Sequence, residues 1–182
     1  NEGVQLSGFF NYVQSNKGFQ ISVINYADSS SGVSFGLVSY VRHGYHVWEI
    51  SATETFPVNM SFRSGVKRFY NIFEAGVGNN VFRATYGVGT MPSLGKKLDL
   101  SMDLTGSTVL YAQNPDWDYL PYMARFDVML NIQAKPKFAI AIGPSISYYV
   151  QPLNAEKQIN KLSSYQFYER TSDSWYHQAW IG

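Results

Sequence analysis

The chain has 182 residues, of which 12 Phe, 4 Trp and 14 Tyr make 16% aromatic, while only 15% are charged against a usual ~25%. Tyr outnumbers Leu, and 15 Gly with 7 Pro work against long helices, so the composition excludes a helical bundle and predicts an all-β fold in a single domain, 1–182. A net charge of +1 argues against nucleic acid as a partner, and the lack of Cys removes disulfides, thiolate metal cages and a Cys nucleophile. Mean hydropathy is negative, and no apolar run approaches the ~18 residues of a membrane-crossing helix. Barrel strands escape that test, because they alternate and leave hydropathy near neutral. Asn1-Glu2-Gly3 already lies in a strand-like pattern and Ala179-Trp180-Ile181-Gly182 closes in another, so the chain reads as a piece of a longer precursor.

Residues 3–41 repeat three times, at Gly3-Val4-Gln5-Leu6-Ser7-Gly8-Phe9-Phe10-Asn11-Tyr12, Gly18-Phe19-Gln20-Ile21-Ser22-Val23-Ile24-Asn25-Tyr26 and Gly32-Val33-Ser34-Phe35-Gly36-Leu37-Val38-Ser39-Tyr40. Turn residues separate the units: Ser15-Asn16-Lys17 and Asp28-Ser29-Ser30-Ser31. One strand and one turn per unit gives an antiparallel meander; a parallel β-solenoid with one coil per unit fits the same period.

Further on, Lys97 to Thr105 alternates strictly, with Leu98, Leu100, Met102 and Leu104 against Lys97, Asp99, Ser101, Asp103 and Thr105. Ala124 to Ala134 does the same, with Arg125, Asp127, Asn131 and Gln133 on one side, and Phe82 to Gly89 sets Arg83, Thr85, Gly87 and Gly89 against apolar residues. Phe69 to Ala75 breaks the pattern, and Pro144 interrupts a strand between Phe138 and Val150, which predicts a bulge or an edge. The count comes to roughly ten to twelve strands. Short turns near 92–96 and 135–137 fall at one end, and longer loops at 113–118 and 152–174 at the other. That asymmetry predicts an antiparallel, up-and-down transmembrane β-barrel.

The hairpin Gly87-Val88-Gly89-Thr90-Met91-Pro92-Ser93-Leu94-Gly95-Lys96-Lys97-Leu98-Asp99-Leu100 resembles the periplasmic-turn hairpins of outer-membrane β-barrel proteins, particularly those of Bacteroidota. The three repeats resemble a surface-repeat family of bacterial envelopes whose unit reads Gly-Val-Gln-apolar-Gly-apolar-apolar-Asn. Unit one carries an extra residue at Phe9-Phe10, and unit three has Ser34 and Ser39 in place of Gln and Asn. The resemblance implies the outer membrane or the cell surface and transfers no catalytic residue.

If the apolar faces meet lipid, Arg83, Asp99, Asp103, Arg125 and Asp127 point inward and form a polar network, because an isolated buried charge costs several kcal/mol. Counting across the turns sets Arg83 near Asp103 and Asp103 near Asp127. Tyr12, Tyr26, Tyr40, Trp117, Tyr119, Tyr148, Tyr149, Trp175 and Trp180 sit near strand ends, where an aromatic girdle belongs. His43 and His46 share a turn without an assured third ligand, so no metal is assigned. Asp173, Ser174 and His177 lack the spacing of a catalytic triad on a strand, and Asp116-Trp117-Asp118 offers too few oxygens for Ca²⁺. The expectation is a non-enzymatic barrel without a cofactor, in contact with membrane lipid or lipopolysaccharide and with an envelope protein partner, in a structural, surface-interaction or accessory role. Its alternatives are a narrow channel for small solutes and a soluble or surface-displayed ligand-binding β protein.

Overall fold

The computed structural model describes residues 2–78, 81–111, 120–135, 138–153, 162–172 and 174–182. Every regular element among them is a strand, as the composition requires.

The repeats build the first six strands. β1 (Val4–Leu6), β3 (Phe19–Ile21) and β5 (Val33–Phe35) form one parallel sheet, and β2 (Phe10–Asn16), β4 (Ile24–Ser30) and β6 (Val38–Val41) form a second. Each unit therefore contributes two strands to one coil of a short solenoid, which corrects the antiparallel meander. The polar residues supply the reason, because matching amides satisfy one another only when the coils stack in register. Asn11, Asn25 and Ser39 align, as do Gln5, Gln20 and Ser34. Asn11 Nδ2 donates to Asn25 Oδ1 at 3.2 Å, Asn25 Nδ2 to the Phe35 carbonyl at 2.9 Å, and Gln20 Nε2 to Gln5 Oε1 at 3.2 Å. The extra residue of unit one is absorbed in the corner between β1 and β2, since Leu6 still faces Ile21 and Phe10 still faces Ile24. At Gly32 the coils approach so closely that a Cβ would collide with the Gly18 carbonyl oxygen.

The remaining strands are β7 (Tyr45–Ser51), β8 (Val58–Val66), β9 (Phe69–Val77), β10 (Val81–Thr90), β11 (Leu98–Tyr111), β12 (Tyr122–Lys135), β13 (Phe138–Ile142), β14 (Ser145–Pro152), β15 (Gln166–Thr171) and β16 (Trp175–Ile181). They make one antiparallel sheet in the order β15-β16-β14-β12-β11-β10-β9-β8-β7, with β13 also paired to β12. β13 and β14 lie along β12 on either side of Gly143-Pro144, where the interruption was expected. The closed barrel is not found: β7 and β15 end the sheet with no further strand partner among the described residues. In the last hairpin β16 rather than β15 pairs with β14, so β15 is the edge strand.

The sheet curls so that alternate residues are enclosed. At the β16 end Phe56, Val81, Val109, Met123, Tyr149, Tyr176 and Trp180 pack as an apolar cluster, and Tyr70, Ile72 and Met91 form a smaller one. Between them the enclosed side chains are polar and charged. Leu104, Phe126, Ile140 and Ile146, on the opposite side, are exposed.

Tyr12, Tyr26 and Tyr40 stack along the solenoid with ring centroids 5.6 and 5.7 Å apart, and His46 continues the stack onto β7 at 4.7 Å from Tyr40. Tyr148 and Trp175 are exposed, but Tyr149 and Trp180 are buried and leave the expected girdle. They point inward because their strands alternate about the enclosed Ser147 and Gln178. Trp117 and Tyr119 lie outside the described residues.

Replacing Asn25 with Leu keeps its branched skeleton but takes from the Phe35 carbonyl its side-chain donor, leaving the Ser22 amide, and removes the acceptor shared by Asn11 Nδ2 and the Ser22 hydroxyl. A loss of ~1–3 kcal/mol is expected, read as a lower midpoint of urea unfolding with Phe19→Leu, a change on the exposed side of the coil, as the neutral control.

Candidate functional site

The enclosed charges are the chemistry-bearing feature of the molecule. Glu74 of β9 receives Arg83 Nη2 of β10 and, at 3.2 Å, Arg125 Nη2 of β12. Arg125 Nε also donates to Asp127 Oδ2 at 2.9 Å, and Arg83 Nη2 to Asn59 Oδ1 at 2.8 Å. The Arg83 guanidinium lies 4.5 Å above the Phe56 ring, which closes the apolar cluster onto the charged layer. A second group forms toward β8: Arg63 Nη1 meets Asp103 Oδ2 at 2.8 Å and Arg63 Nη2 meets Glu49 Oε2 at 3.0 Å. Tyr70 donates its hydroxyl to Asp103 Oδ1 at 2.6 Å. A Cβ at Gly89 would collide with that carboxylate and with the Tyr70 ring, so glycine there is what admits the pair.

Of the charges expected inside, Arg83, Asp103, Arg125 and Asp127 are buried together. Asp103 stands directly opposite Asp127, as counted. Two expectations need correction. Asp99 lies outside the network, bound to Lys67 Nζ at 2.7 Å and to the Ser93 hydroxyl at 2.5 Å, because its position near the start of β11 places it beside the 91–97 turn. Arg83 faces Val109 rather than Asp103, whose partner is Gly89. The hairpin turns later than Leu94, since Leu94 and Gly95 both donate to the Leu98 carbonyl.

Sequence reasoning missed Glu49, Arg63, Tyr70 and Glu74. Tyr70, Ile72 and Glu74 do alternate inward, but Asn71 between them confuses the pattern. Its side chain lies on the outer side, where it donates to the Gly36 carbonyl and accepts from the Ser39 amide of the solenoid. Of the other candidates, His43 and His46 donate to the Asp28 and Val41 carbonyls, and His177 meets the Tyr148 hydroxyl. Asp116, Trp117, Asp118 and Asp173 lie outside the described residues.

A cavity of about 680 Å³ opens between β7 and β13, lined by Glu49, Arg63, Glu74, Asp103, Arg125 and Asp127 and walled by Ile50 and Ile140. Arg125 Nη1 is buried with no hydrogen-bond partner among the described residues. The arrangement can hold charge and order water.

No family model, curated protein or solved structure matches the chain.

Glu74→Ala removes the one carboxylate that holds Arg83 and half of what holds Arg125. A cost of ~3–5 kcal/mol is expected for leaving a buried charge uncompensated, whereas Lys67→Ala, at the half-exposed Lys67–Asp99 pair, should cost ~0–1 kcal/mol. Urea unfolding of both variants under the same conditions checks the difference.

Proposed function

We propose that the chain is an outer-membrane β-barrel protein of bacterial, Bacteroidota-type envelopes, with a structural, surface-interaction or accessory role and its charged network as a permanent filling. The observation that carries this reading is the inversion of the sheet. Arg83, Asp103, Arg125 and Asp127 are enclosed, while Trp48, Ile50, Met60, Leu104, Phe126, Ile140, Ile142 and Ile146 stand exposed on the other side. In water that distribution is unfavourable by ~25 cal/mol for each Å² of apolar surface left exposed; against acyl chains it is the expected one. Strands β8 to β12 have 9 to 14 residues, and ~9–11 tilted residues cross a bilayer.

An open sheet edge is not stable in hydrocarbon. In the membrane the edges of β7, β13 and β15 must each be paired or covered, and residues 47–51 of β7 and 138–142 of β13, which line the same cavity, are placed for β7 to close on β13. The Arg–carboxylate layer and the Phe56–Trp180 cluster then obstruct the lumen. A narrow channel for small solutes is the second reading, favoured by the charged 680 Å³ cavity and the unpartnered Arg125 Nη1.

On fractionation the protein should stay with membranes after carbonate extraction and migrate faster on gels when unheated. A soluble product whose migration ignores heating overturns the barrel. In planar bilayers the filled barrel gives no discrete conductance, and steps of constant size decide for the channel.

A further inference from the structure

The solenoid repeats the inversion of the sheet. Asn11, Asn16, Gln20, Ser22, Asn25, Ser34 and Ser39 are buried inside it, and its exterior carries large apolar residues. These fall in continuous rows up the stack: Val4, Phe19 and Val33; Leu6, Ile21 and Phe35; Phe10, Ile24 and Val38. Phe9, Val23 and Leu37 occupy the corner between them, with Phe9 66% and Leu6 70% exposed. No charged residue interrupts the rows. The next row is Tyr12, Tyr26 and Tyr40, and beyond it the surface turns polar at Gln14, Asp28 and Arg42 and at Ser29 to Ser31, where β4 ends.

Its seat on the sheet gives the second observation. The last coil docks on the outward side of β8, β9 and β10. Asn71 caps Ser39 and Gly36, the Ser64 hydroxyl donates to the Ser39 carbonyl, the Tyr86 hydroxyl donates to the Gly36 carbonyl, and Phe35 meets Phe69 at 5.6 Å. Ser64, Asn71 and Tyr86 are flanked along their strands by the inward residues Arg63, Tyr70 and Thr85, so they belong to the side that bears Met60 and Val77.

We infer that the apolar rows of the solenoid lie in the hydrocarbon of the bilayer, continuous with the lipid-facing side of the sheet, and that the Tyr12–Tyr26–Tyr40 row marks the border with the headgroups. The inference rests on the barrel reading and extends it to an element that a barrel does not need. A solenoid fixed to the lipid side of a barrel cannot avoid lipid, and its polar filling with apolar sides suits that solvent. Aromatic rings with a polar tip are favoured at such a border. The assignment concerns the lateral rows. The outer edge of the first coil, which pairs with no strand among the described residues, requires a hydrogen-bonding partner rather than acyl chains.

The chain has no Cys, so single cysteines can carry a nitrobenzoxadiazole probe at Leu6→Cys, Ile21→Cys and Phe35→Cys, with Leu104→Cys on the sheet and Ser29→Cys on the polar edge. Each is reconstituted in phosphatidylcholine vesicles, with folding verified by heat-modifiable migration. Doxyl-labelled phosphatidylcholine should remove most of the emission at the three solenoid sites and at Leu104, and iodide should remove it at Ser29. Iodide quenching at the solenoid sites, with doxyl quenching kept at Leu104, overturns the inference and leaves the barrel standing. Protection of the solenoid sites from both quenchers means that protein covers the rows, and it overturns the inference equally. Loss of doxyl quenching at Leu104 itself removes the barrel reading and this inference with it.

Discussion

Glu74 sits between two arginines, and the rest of the sheet is arranged around that contact. A carboxylate that receives Arg83 from one neighbouring strand and Arg125 from beyond β11 can do so only if the sheet bends until β9 and β12 approach across its interior. Once bent, it encloses Arg63, Asp103 and Asp127 as well, and each of them must find a partner because an unpaired charge there costs several kcal/mol. Small residues yield the space. Gly89 admits the Tyr70–Asp103 pair, and Gly76 admits Asn59, which in turn holds Arg83. With the interior occupied by polar groups, the strands have only their outer positions on which to carry Leu104, Phe126 and Ile146.

The solenoid follows the same rule on a smaller scale. Its coils are held by amide and hydroxyl side chains rather than by an apolar core, so the apolar residues of each repeat are displaced outward. The sheet in turn interrupts its own apolar side at one place, with Ser64, Asn71 and Tyr86, and that place is where the last coil lands. Polar groups that would be unfavourable next to acyl chains are thereby satisfied by the carbonyls of Ser39 and Gly36 and by the Ser39 amide. The two parts are matched in chemistry as well as joined in sequence.

Much of this was legible from alternation. Period two separated Arg83, Arg125 and Asp127 from their apolar neighbours, and the count centred near Pro115 placed Asp103 opposite Asp127, as the pairing has it. The repeat period was visible too, but alternation within a unit is blind to strand direction, so parallel coils and an antiparallel meander read alike until the Asn and Gln partners are known. Glu74 stayed hidden because Asn71, a polar residue on the outward side between the inward Tyr70 and Ile72, answers to the solenoid and obscures the alternation of β9. Asp99 shows the opposite error: its face was right, but its height was not, and at the end of a strand a carboxylate reaches the 91–97 turn and Lys67 before it reaches the interior. Tyr149 and Trp180 mark a third limit, since aromatics fill an interior as readily as they ring its rim.

The stacking of the repeats also makes the solenoid a ruler. Each coil advances the stack by one strand spacing, ~4.8 Å, and presents the same lateral rows as the coil before it. Only the last coil is specialised, through Ser39 and Gly36, for attachment to the sheet. Adding or removing a coil above it would change the reach of the arm in fixed steps while leaving its attachment and the chemistry of its sides unaltered.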